Sequence, residues 1–463
     1  MSCAGGSPVR PRVVIVGGGV AALETMLALR DTLDAVVSID IVTPSDRFQY
    51  RPLSVAEPFG LAEPRSFDLA AIASEQGVQL HRRVIQAIHP DRKQVCVRDG
   101  PSLSYDAALI AAGAQTREWL PGAIHFAGPE DVARIRALVA ELDAGEVGSV
   151  VFTAPGALSW TLPLYELALL TAAHISEQGL RDVRLTVLTP EAQPLEAFGP
   201  AAGAHIRELF VNRGITLRTR QQAHSHAQGR LTLLFDQYIE ADRVVALPEI
   251  HGEPIAGLPH DDDGFIPVDD HCAVLGVPAV YAAGDITSYP IKQGGLACQQ
   301  ADAAAEAIAV AFGATLKPRP FEPILRGQLL TGLIPTYMTA DVSASKSASR
   351  HDREPVVAVN PLWWPPSKIV GRYLAPYLAE HALLLGGEPT QPQEHPTSPE
   401  QAPQAQRARD DDASGMALAF AERDAEHGDY VSALEWLHMV EQLSGPLAPE
   451  LEDKRAAWRQ QLE

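Results

Sequence analysis

The sequence is poor in cysteine and in basic residues. Four cysteines occur in 463 residues, Cys3, Cys96, Cys272 and Cys298, and none of them forms a C-x-x-C pair. This spacing excludes a disulfide scaffold and a cysteine-based zinc site, and it suits a reducing compartment. Lysine and arginine number 37 against 58 acidic residues, so the formal charge is −21. Such a charge argues against nucleic acid as a partner and against broad contact with anionic membranes.

Long apolar runs are also missing. No stretch of about 18 or more apolar residues is free of charge and proline, which excludes a transmembrane helix. The first residues, "MSCAGGSPVRPR", contain no apolar segment of the signal-peptide type. The sequence therefore predicts a cytoplasmic protein with at most peripheral contact with the inner face of the membrane, and it predicts no metal site.

Alternating strands and helices make up most of the first 312 residues. A βαβ pattern of this kind indicates parallel α/β architecture. The predicted elements are strands at Arg12–Val16, Ser38–Thr43, Ala107–Ala112, Arg184–Thr189 and Ala279–Thr287, a second strand–helix unit that opens at Ser149, and helices at Val20–Arg30 and from Gly295 to Phe312.

The clearest motif is "RVVIVGGGVAALETMLAL", in which Gly17, Gly19 and Ala22 fill a G-x-G-x-x-G/A pattern between a strand and a helix. The glycines allow the backbone to approach a pyrophosphate, and the helix N-terminus faces its negative charge. A residue at the end of the next strand is expected to bind a ribose hydroxyl. Asp40 lies too early in that strand, so Thr43 is predicted at the ribose position.

A second motif is "AVYAAGDIT", followed closely by "IKQGGLACQQADAAAEAIA". Gly284 allows close approach, Asp285 can bond a ribityl hydroxyl, and the helix after Gly294 can stabilise negative charge on a reduced flavin. Lys292 precedes this helix. Its ammonium group is either a catalytic charge beside the flavin or a quinone, or an ordinary solvated loop lysine.

Together with "FQYRPL" and "YDAALIAAGA", these motifs resemble the FAD-dependent pyridine nucleotide-disulfide oxidoreductase superfamily. Within it, the chain is most similar to the branch of sulfide:quinone oxidoreductases and type II NADH dehydrogenases. The resemblance covers roughly residues 10 to 380 and implies two Rossmann-like domains with FAD as the cofactor. It implies pyrophosphate contacts at Gly17, Gly19, Ala22 and Gly113, flavin contacts at Arg51 and Pro52, ribityl contacts at Gly284 and Asp285, and a helix start under the flavin ring at Gly295 and Leu296.

The second strand–helix unit has the turn Ala154-Pro155-Gly156-Ala157 where relatives that oxidise NADH are rich in glycine. Proline removes an N–H donor and alanine restricts backbone approach, which disfavours NADH in the usual mode. The turn resembles that of the sulfide:quinone branch, and so does the P-x-x-E pattern from Pro163 to Glu166. Sulfide chemistry is also disfavoured, because it needs two redox cysteines and Ser159 stands where one is expected.

The other cysteines do not replace the missing pair. No cysteine follows Cys298, which we interpret as a small buried residue of the helix, and Cys272 is predicted in an exposed loop. The sequence therefore predicts an FAD-dependent oxidoreductase that passes electrons to an acceptor, with a quinone favoured, and uses no redox-active cysteine. The alternatives are a type II-like NAD(P)H dehydrogenase with a degenerate dinucleotide site, and an FAD-containing scaffold that acts through its C-terminal tail.

The expected fold class is α/β, with two Rossmann-like domains, a C-terminal interface segment and an appended α-helical tail. The expected partners are a small-molecule electron donor and acceptor, and the sequence leaves a homodimer and a protein partner of the tail open. The predicted domains are 10–145 and 271–316 for FAD, 146–270 for the second Rossmann-like domain, 317–386 for the interface or cap segment, 387–412 for a disordered linker and 413–463 for the helical tail.

Overall fold

The computed structural model describes residues 10–156, 160–234, 237–342, 355–381 and 447–460, together with residues 418, 425 and 437. The chain divides into two units, residues 1–388 and 389–463. The predicted linker 387–412 and most of the predicted tail 413–463 lie outside the described residues. The α-helices with described bounds are α1 Val20–Leu33, α2 Leu69–Glu75, α3 Val132–Asp143, α4 Leu162–Glu177, α5 Pro200–Asn212, α6 Gly294–Ala311, α7 Leu374–His381 and α8 Pro449–Gln460.

The first large sheet has five parallel strands. Its chain order across the sheet is 3-2-1-4-5, the arrangement of a dinucleotide-binding Rossmann sheet. All four residues of its fourth strand are buried, as expected for a parallel sheet covered on both faces. The strands, in spatial order, are Gln79–Arg82, Ser38–Thr43, Arg12–Val16, Ala107–Ile110 and Val280–Ala282.

The second large sheet also has five parallel strands. Four of them repeat the order 3-2-1-4, and a short strand from upstream in the chain is added at the edge. The sheet packs with α4 and α5 around a core that contains Phe152, Tyr165 and Phe210. The strands, in spatial order, are Ile215–Arg218, Arg184–Leu188, Ser149–Thr153, Arg243–Ala246 and Ile124–His125.

The second Rossmann-like domain begins earlier than the boundary predicted at residue 146. Ile124 pairs with Val245, and α3 buries Ile135 and Leu138 in the second core. The domain also ends earlier than residue 270, because Ile255 and Leu258 are buried in one core with Val14 and Val16 of the first sheet. An amphipathic helix such as α3 packs equally well on either sheet, so its pattern alone does not assign it to a domain.

Smaller antiparallel sheets complete the first unit. The sheet of the C-terminal segment lies against the second domain, where its first strand contacts α4 and its third contacts α5. Within the described residues, no helix is long and apolar enough to cross a membrane. The antiparallel strands are Arg47–Gln49 with Ser66–Asp68; Ile85–His89, Gln94–Val97 and Leu103–Ser104; Gln115–Arg117 with Glu249–His251; Ala223–Ala227, Arg230–Leu233 and Tyr238–Glu240; and Ile324–Leu329, Thr336–Asp341 and Val356–Ala358.

Candidate active site

The glycine turn follows the central strand of the first sheet. Gly17 has φ +128°, and a Cβ atom at this position would lie 2.1 Å from the carbonyl oxygen of Ala111. Gly19 precedes α1 as its N-cap and makes no side-chain cap hydrogen bond, and a Cβ there would meet nothing within 4 Å. Open space therefore lies beside the N-terminus of α1, where a helix can receive an anion.

Thr43 ends the second strand next to this turn. A Cβ placed on Gly18 would lie 3.1 Å from Thr43 Oγ1, so the threonine side chain borders the glycines. Asp40 is engaged elsewhere, because its carboxylate accepts hydrogen bonds from Arg12 Nε at 2.7 Å and bonds His81 Nε2 at 2.6 Å. The hydrogen bonds from these two partners lower the pKa of Asp40 and outweigh its burial. Of the two candidates for a ribose contact, Thr43 is the one beside the turn.

Gly284 packs between the start of α1 and the start of α6. It has φ +83°, and a Cβ there would lie 3.2 Å from the Cβ of Ala21 and 3.5 Å from that of Ala297. Gly113 follows the fourth strand with open space around it. Ala22, by contrast, is fully buried in the first core, so its small side chain serves the close packing of α1 on the sheet.

A cavity of about 250 Å³ lies where the two domains and the C-terminal segment meet. Four predicted site residues line it: Arg51, Pro52, Asp285 and Lys292. We call the surface formed by Gly17, Gly19, Gly113 and Gly284 the glycine-lined cradle. Asp285 follows Gly284 directly, so the cavity adjoins this cradle. The other lining residues are Ser54, Val55, Ala114, Thr116, Phe126, Ala127, Trp160, Leu162, Pro163, Glu166, Leu247, Pro248, Ile250, Gln293, Gly294, Arg326, Gly327, Gln328, Lys368 and Ile369.

Lys292 is buried at the cavity wall, with 8% of its surface exposed, and is not a solvated loop lysine. Its Nζ donates to the carbonyl oxygen of Thr287 at 2.5 Å and lies 3.6 Å from the centre of the Phe265 ring. Burial lowers the pKa of Lys292 to about 8, although the negative charge of Asp285 acts in the opposite direction. For the acid Asp285, burial has the opposite effect and raises the pKa. The ammonium group of Lys292 can therefore lose its proton at mildly alkaline pH.

A buried ion pair, Glu166 with Lys368, also lines the cavity. Lys368 Nζ lies 2.5 Å from Glu166 Oε1 and 2.7 Å from Oε2, and Oε1 also accepts the amide of Leu330 at 2.8 Å. Burial raises the pKa of Glu166 and lowers that of Lys368. The two pKa values approach each other, so a proton moves between these groups at less cost than in an exposed pair. The residues are 202 positions apart, and no sequence pattern pairs them.

The start of α6 carries Gly295 and Leu296, which the sequence predicts under the flavin ring. The amide of Leu296 donates to Gln293 Oε1 at 2.8 Å, and its side chain is buried in the second core. Gly295 is buried beside it, whereas Gly294 lines the cavity. The helix start thus lies at the cavity, but Leu296 contributes packing and an internal cap.

The described cysteines lie away from the cavity. Cys272 is fully buried, which corrects the expectation of an exposed loop position, and burial strongly raises its pKa. Cys298 is buried in α6, and its pKa is raised well above the usual value by burial and by nearby Glu24 and Asp302. Within the described residues, no cysteine lines the cavity. Cys3 and Ser159 lie outside the described residues.

The second domain's nucleotide turn is buried where it begins, whereas Gly156 is exposed. Ala154 and Pro155 are buried at the end of the central strand. Glu191, which follows the next strand, accepts hydrogen bonds from Tyr165 Oη at 2.6 Å, Thr189 Oγ1 at 2.9 Å and Thr161 Oγ1 at 3.1 Å. Burial raises the pKa of Glu191 despite these donors. The carboxylate at the ribose-binding edge of this sheet is therefore saturated by internal partners.

Comparison with known proteins agrees with this architecture. The pyridine nucleotide-disulphide oxidoreductase family matches residues 11–307. The chain belongs to this family. It is 24% identical to an NADH dehydrogenase-like protein of Mycobacterium tuberculosis over 60% of this chain and 73% of that protein. It is 25% identical to the demethylphylloquinone reductase of Synechocystis over 60% of this chain and 72% of that protein.

Among solved structures, the sulfide:quinone oxidoreductase of Aquifex aeolicus is similar, with a TM-score of 0.68 and 19% identity. The match covers 75% of this chain and 86% of that chain. At this identity the likeness establishes the fold of two Rossmann-like domains. Together with the family, it identifies the protein as an oxidoreductase.

Proposed function

We propose that the protein is an FAD-dependent oxidoreductase that passes electrons to a quinone and uses no protein thiol. The observation that carries this proposal is the cavity at the end of the glycine-lined cradle. Its wall contains the buried pair Glu166–Lys368 and the buried Lys292, and no cysteine among the described residues. The quinone named for the Synechocystis relative is of the same chemical class as the proposed acceptor.

The cradle fits FAD. The proposed pyrophosphate contacts are Gly17 and Gly19, which precede α1, together with Ala22 and Gly113. The proposed ribose contact is Thr43. Gly284 and Asp285 would hold the ribityl chain, which leads the flavin ring toward Arg51, Pro52 and the start of α6 at Gly295 and Leu296. When bound, FAD supplies the two-electron chemistry.

The protein groups at the cavity supply charge and protons. Reduction of a quinone to a quinol consumes two electrons and two protons; the reduced flavin would supply both electrons together with one proton, and the second proton has to come from the protein. Lys368 holds a proton at Nζ against the Glu166 carboxylate, and this pair would donate it to a quinone oxygen. The ammonium of Lys292 stabilises negative charge that develops near it. The apolar side chains of Phe126, Trp160 and Leu162 exclude water from the same space.

The test is anaerobic reoxidation of the holoprotein. The protein is purified with FAD, reduced with a stoichiometric amount of dithionite and mixed with menadione in a stopped-flow instrument, while the visible flavin band is recorded. We expect rapid return of the oxidised band. A reduced protein that menadione does not reoxidise faster than free reduced FAD would contradict the proposal.

A second candidate is an NAD(P)H dehydrogenase, favoured by the NADH dehydrogenase-like relative in Mycobacterium tuberculosis. Pro155 and the saturated Glu191 oppose it, because they remove an amide donor and a ribose acceptor. Anaerobic addition of NADH separates the two: rapid bleaching of the flavin band supports the dehydrogenase, and an unchanged band opposes it.

A further inference from the structure

A carboxylate outside the cavity holds the N-terminal end of α7. Glu24 of α1 is fully buried, and its two oxygens accept the amides of Tyr373 at 2.9 Å and Leu374 at 2.7 Å. Burial raises the pKa of Glu24, whereas hydrogen bonds from the amides of residues 372–374 act in the opposite direction. Capping of a helix by an acidic side chain from a different helix joins the two rigidly, since it satisfies amides that α7 leaves unpaired.

The contact depends on a glycine just before these amides. A Cβ atom on Gly371 would lie 2.5 Å from Glu24 Oε2 and 2.9 Å from Cys298 Sγ. No other residue type therefore allows the chain to approach the carboxylate so closely. Asp302 of α6 also faces Glu24, and burial together with the Glu24 charge raises its pKa to about 8.

The held turn is close in sequence to the cavity lysine. Lys368 precedes Gly371 by three positions, and Ile369 between them donates its amide to Tyr50 Oη at 3.1 Å. Ile369 also packs on the start of α6, because a Cβ on Gly294 would lie 3.2 Å from Ile369 Cγ1. Residues 368–374 therefore form a short segment, which we call the strap. Lys368 lies at its start, and Tyr50 and Glu24 fix the rest of it.

We propose that Glu24 is a positioning residue for the Lys368–Glu166 pair: by holding residues 372–374 it fixes the strap that carries Lys368 to Glu166. The significance of this for turnover rests on the proposed function, because the pair lies in the cavity assigned to the acceptor. Glu24 itself touches neither the cavity nor the acceptor.

The C-terminal end of α7 offers a matched control. Glu75 of α2 accepts the hydroxyl of Tyr377 at 2.6 Å and pairs with His381 at 2.9 Å. It anchors the same helix with the same side-chain type, but at the end away from Lys368. If Glu24 only anchors α7, then neither Glu24→Gln nor Glu75→Gln will expose Lys368.

The test measures how often Lys368 becomes exposed. Holoprotein of wild type, Glu24→Gln and Glu75→Gln is treated with an amine-acylating ester at pH 7.5, and the peptide that contains Lys368 is quantified by mass spectrometry over time. We expect Glu24→Gln to raise the labelling rate about tenfold, as for loss of one charge-assisted hydrogen bond, and Glu75→Gln to change it less than about twofold. Menadione reoxidation should slow in Glu24→Gln and not in Glu75→Gln.

Equal labelling of Lys368 in Glu24→Gln and wild type would overturn the proposal. Faster labelling with unchanged reoxidation would support the positioning of Lys368 and would contradict its role in the proposed function. If Glu24→Gln does not fold, Gly371→Ala disturbs the same contact from the strap. Faster labelling in that variant supports the proposal, and unchanged labelling overturns it.

Discussion

The two parallel sheets have the same order of their first four strands but different chemistry at the turn after the central strand. In the first sheet, Gly17 and Gly19 precede α1, and open space lies beside its N-terminus. In the second, Ala154 and Pro155 are buried, and Glu191 is bonded to three side chains of its own domain. The comparison teaches that one Rossmann strand order can carry either an open glycine turn or a turn whose neighbouring carboxylate is already hydrogen-bonded within its own domain.

The largest effect is expected at the first turn. Gly17→Ala places a Cβ 2.1 Å from a backbone carbonyl at a φ of +128°. Strain and steric conflict together cost about 4 kcal/mol, or roughly a thousandfold in FAD affinity. The absorbance ratio of the flavin band to protein, before and after gel filtration, measures this loss. Gly156→Ala is the matched control, since a Cβ at that position meets nothing within 4 Å, and it should retain FAD.

The next largest effect is a loss of stability, and it is expected where Glu166 of the second domain meets the C-terminal segment. Lys368→Met leaves Glu166 buried without its partner and should lower the free energy of unfolding by about 3 kcal/mol, as measured in urea. The double variant Glu166→Gln/Lys368→Met removes both charges and should recover most of this stability. It should not recover menadione reoxidation. Full recovery of the reoxidation rate would show that the pair carries no proton to the acceptor.

The hydrogen bonds to Glu191 within the second domain predict a modest change in the free energy of unfolding. Tyr165→Phe removes the 2.6 Å hydrogen bond to Glu191 and should cost about 1 kcal/mol in the free energy of unfolding. FAD retention should not change, because this network belongs to the second domain. A loss of FAD in Tyr165→Phe would contradict the expectation that FAD binding is independent of the second turn.

The smallest effect concerns pH. Lys292 has a pKa of about 8 in the folded protein, below its ordinary value of 10.5, so its charge is present below pH 8 and is lost above it. If this ammonium stabilises the negative charge that develops on the acceptor, menadione reoxidation should slow by about threefold between pH 7 and pH 9. Lys292→Met should show no such step. A step of equal size in the variant would assign the titration to another group.

The sequence predicts the first sheet well because local patterns specify it. The strands Arg12–Val16 and Ser38–Thr43 have the predicted bounds, while α1 continues three residues beyond the predicted end at Arg30. The domain boundaries were less accessible, because the short strand Ile124–His125 and the amphipathic α3 carry no signal that assigns them to one sheet.

The cavity could be predicted only in part. Arg51, Pro52, Asp285 and Lys292 belong to local motifs and do line it. The Glu166–Lys368 pair joins segments 202 residues apart, so no spacing reveals it. The burial of Cys272 and Lys292 likewise arises from tertiary packing of loops, which polar sequence context hides.

The central claim is that the first turn holds the redox cofactor and the second turn admits no dinucleotide. The most direct measurement is an anaerobic titration of the FAD-loaded protein with NADH, followed at the visible flavin band, with dithionite added at the end. The account predicts no bleaching with NADH and full bleaching with dithionite. Rapid bleaching by stoichiometric NADH would contradict it, because the Ala-Pro-Gly turn would then admit a nucleotide despite the saturated Glu191.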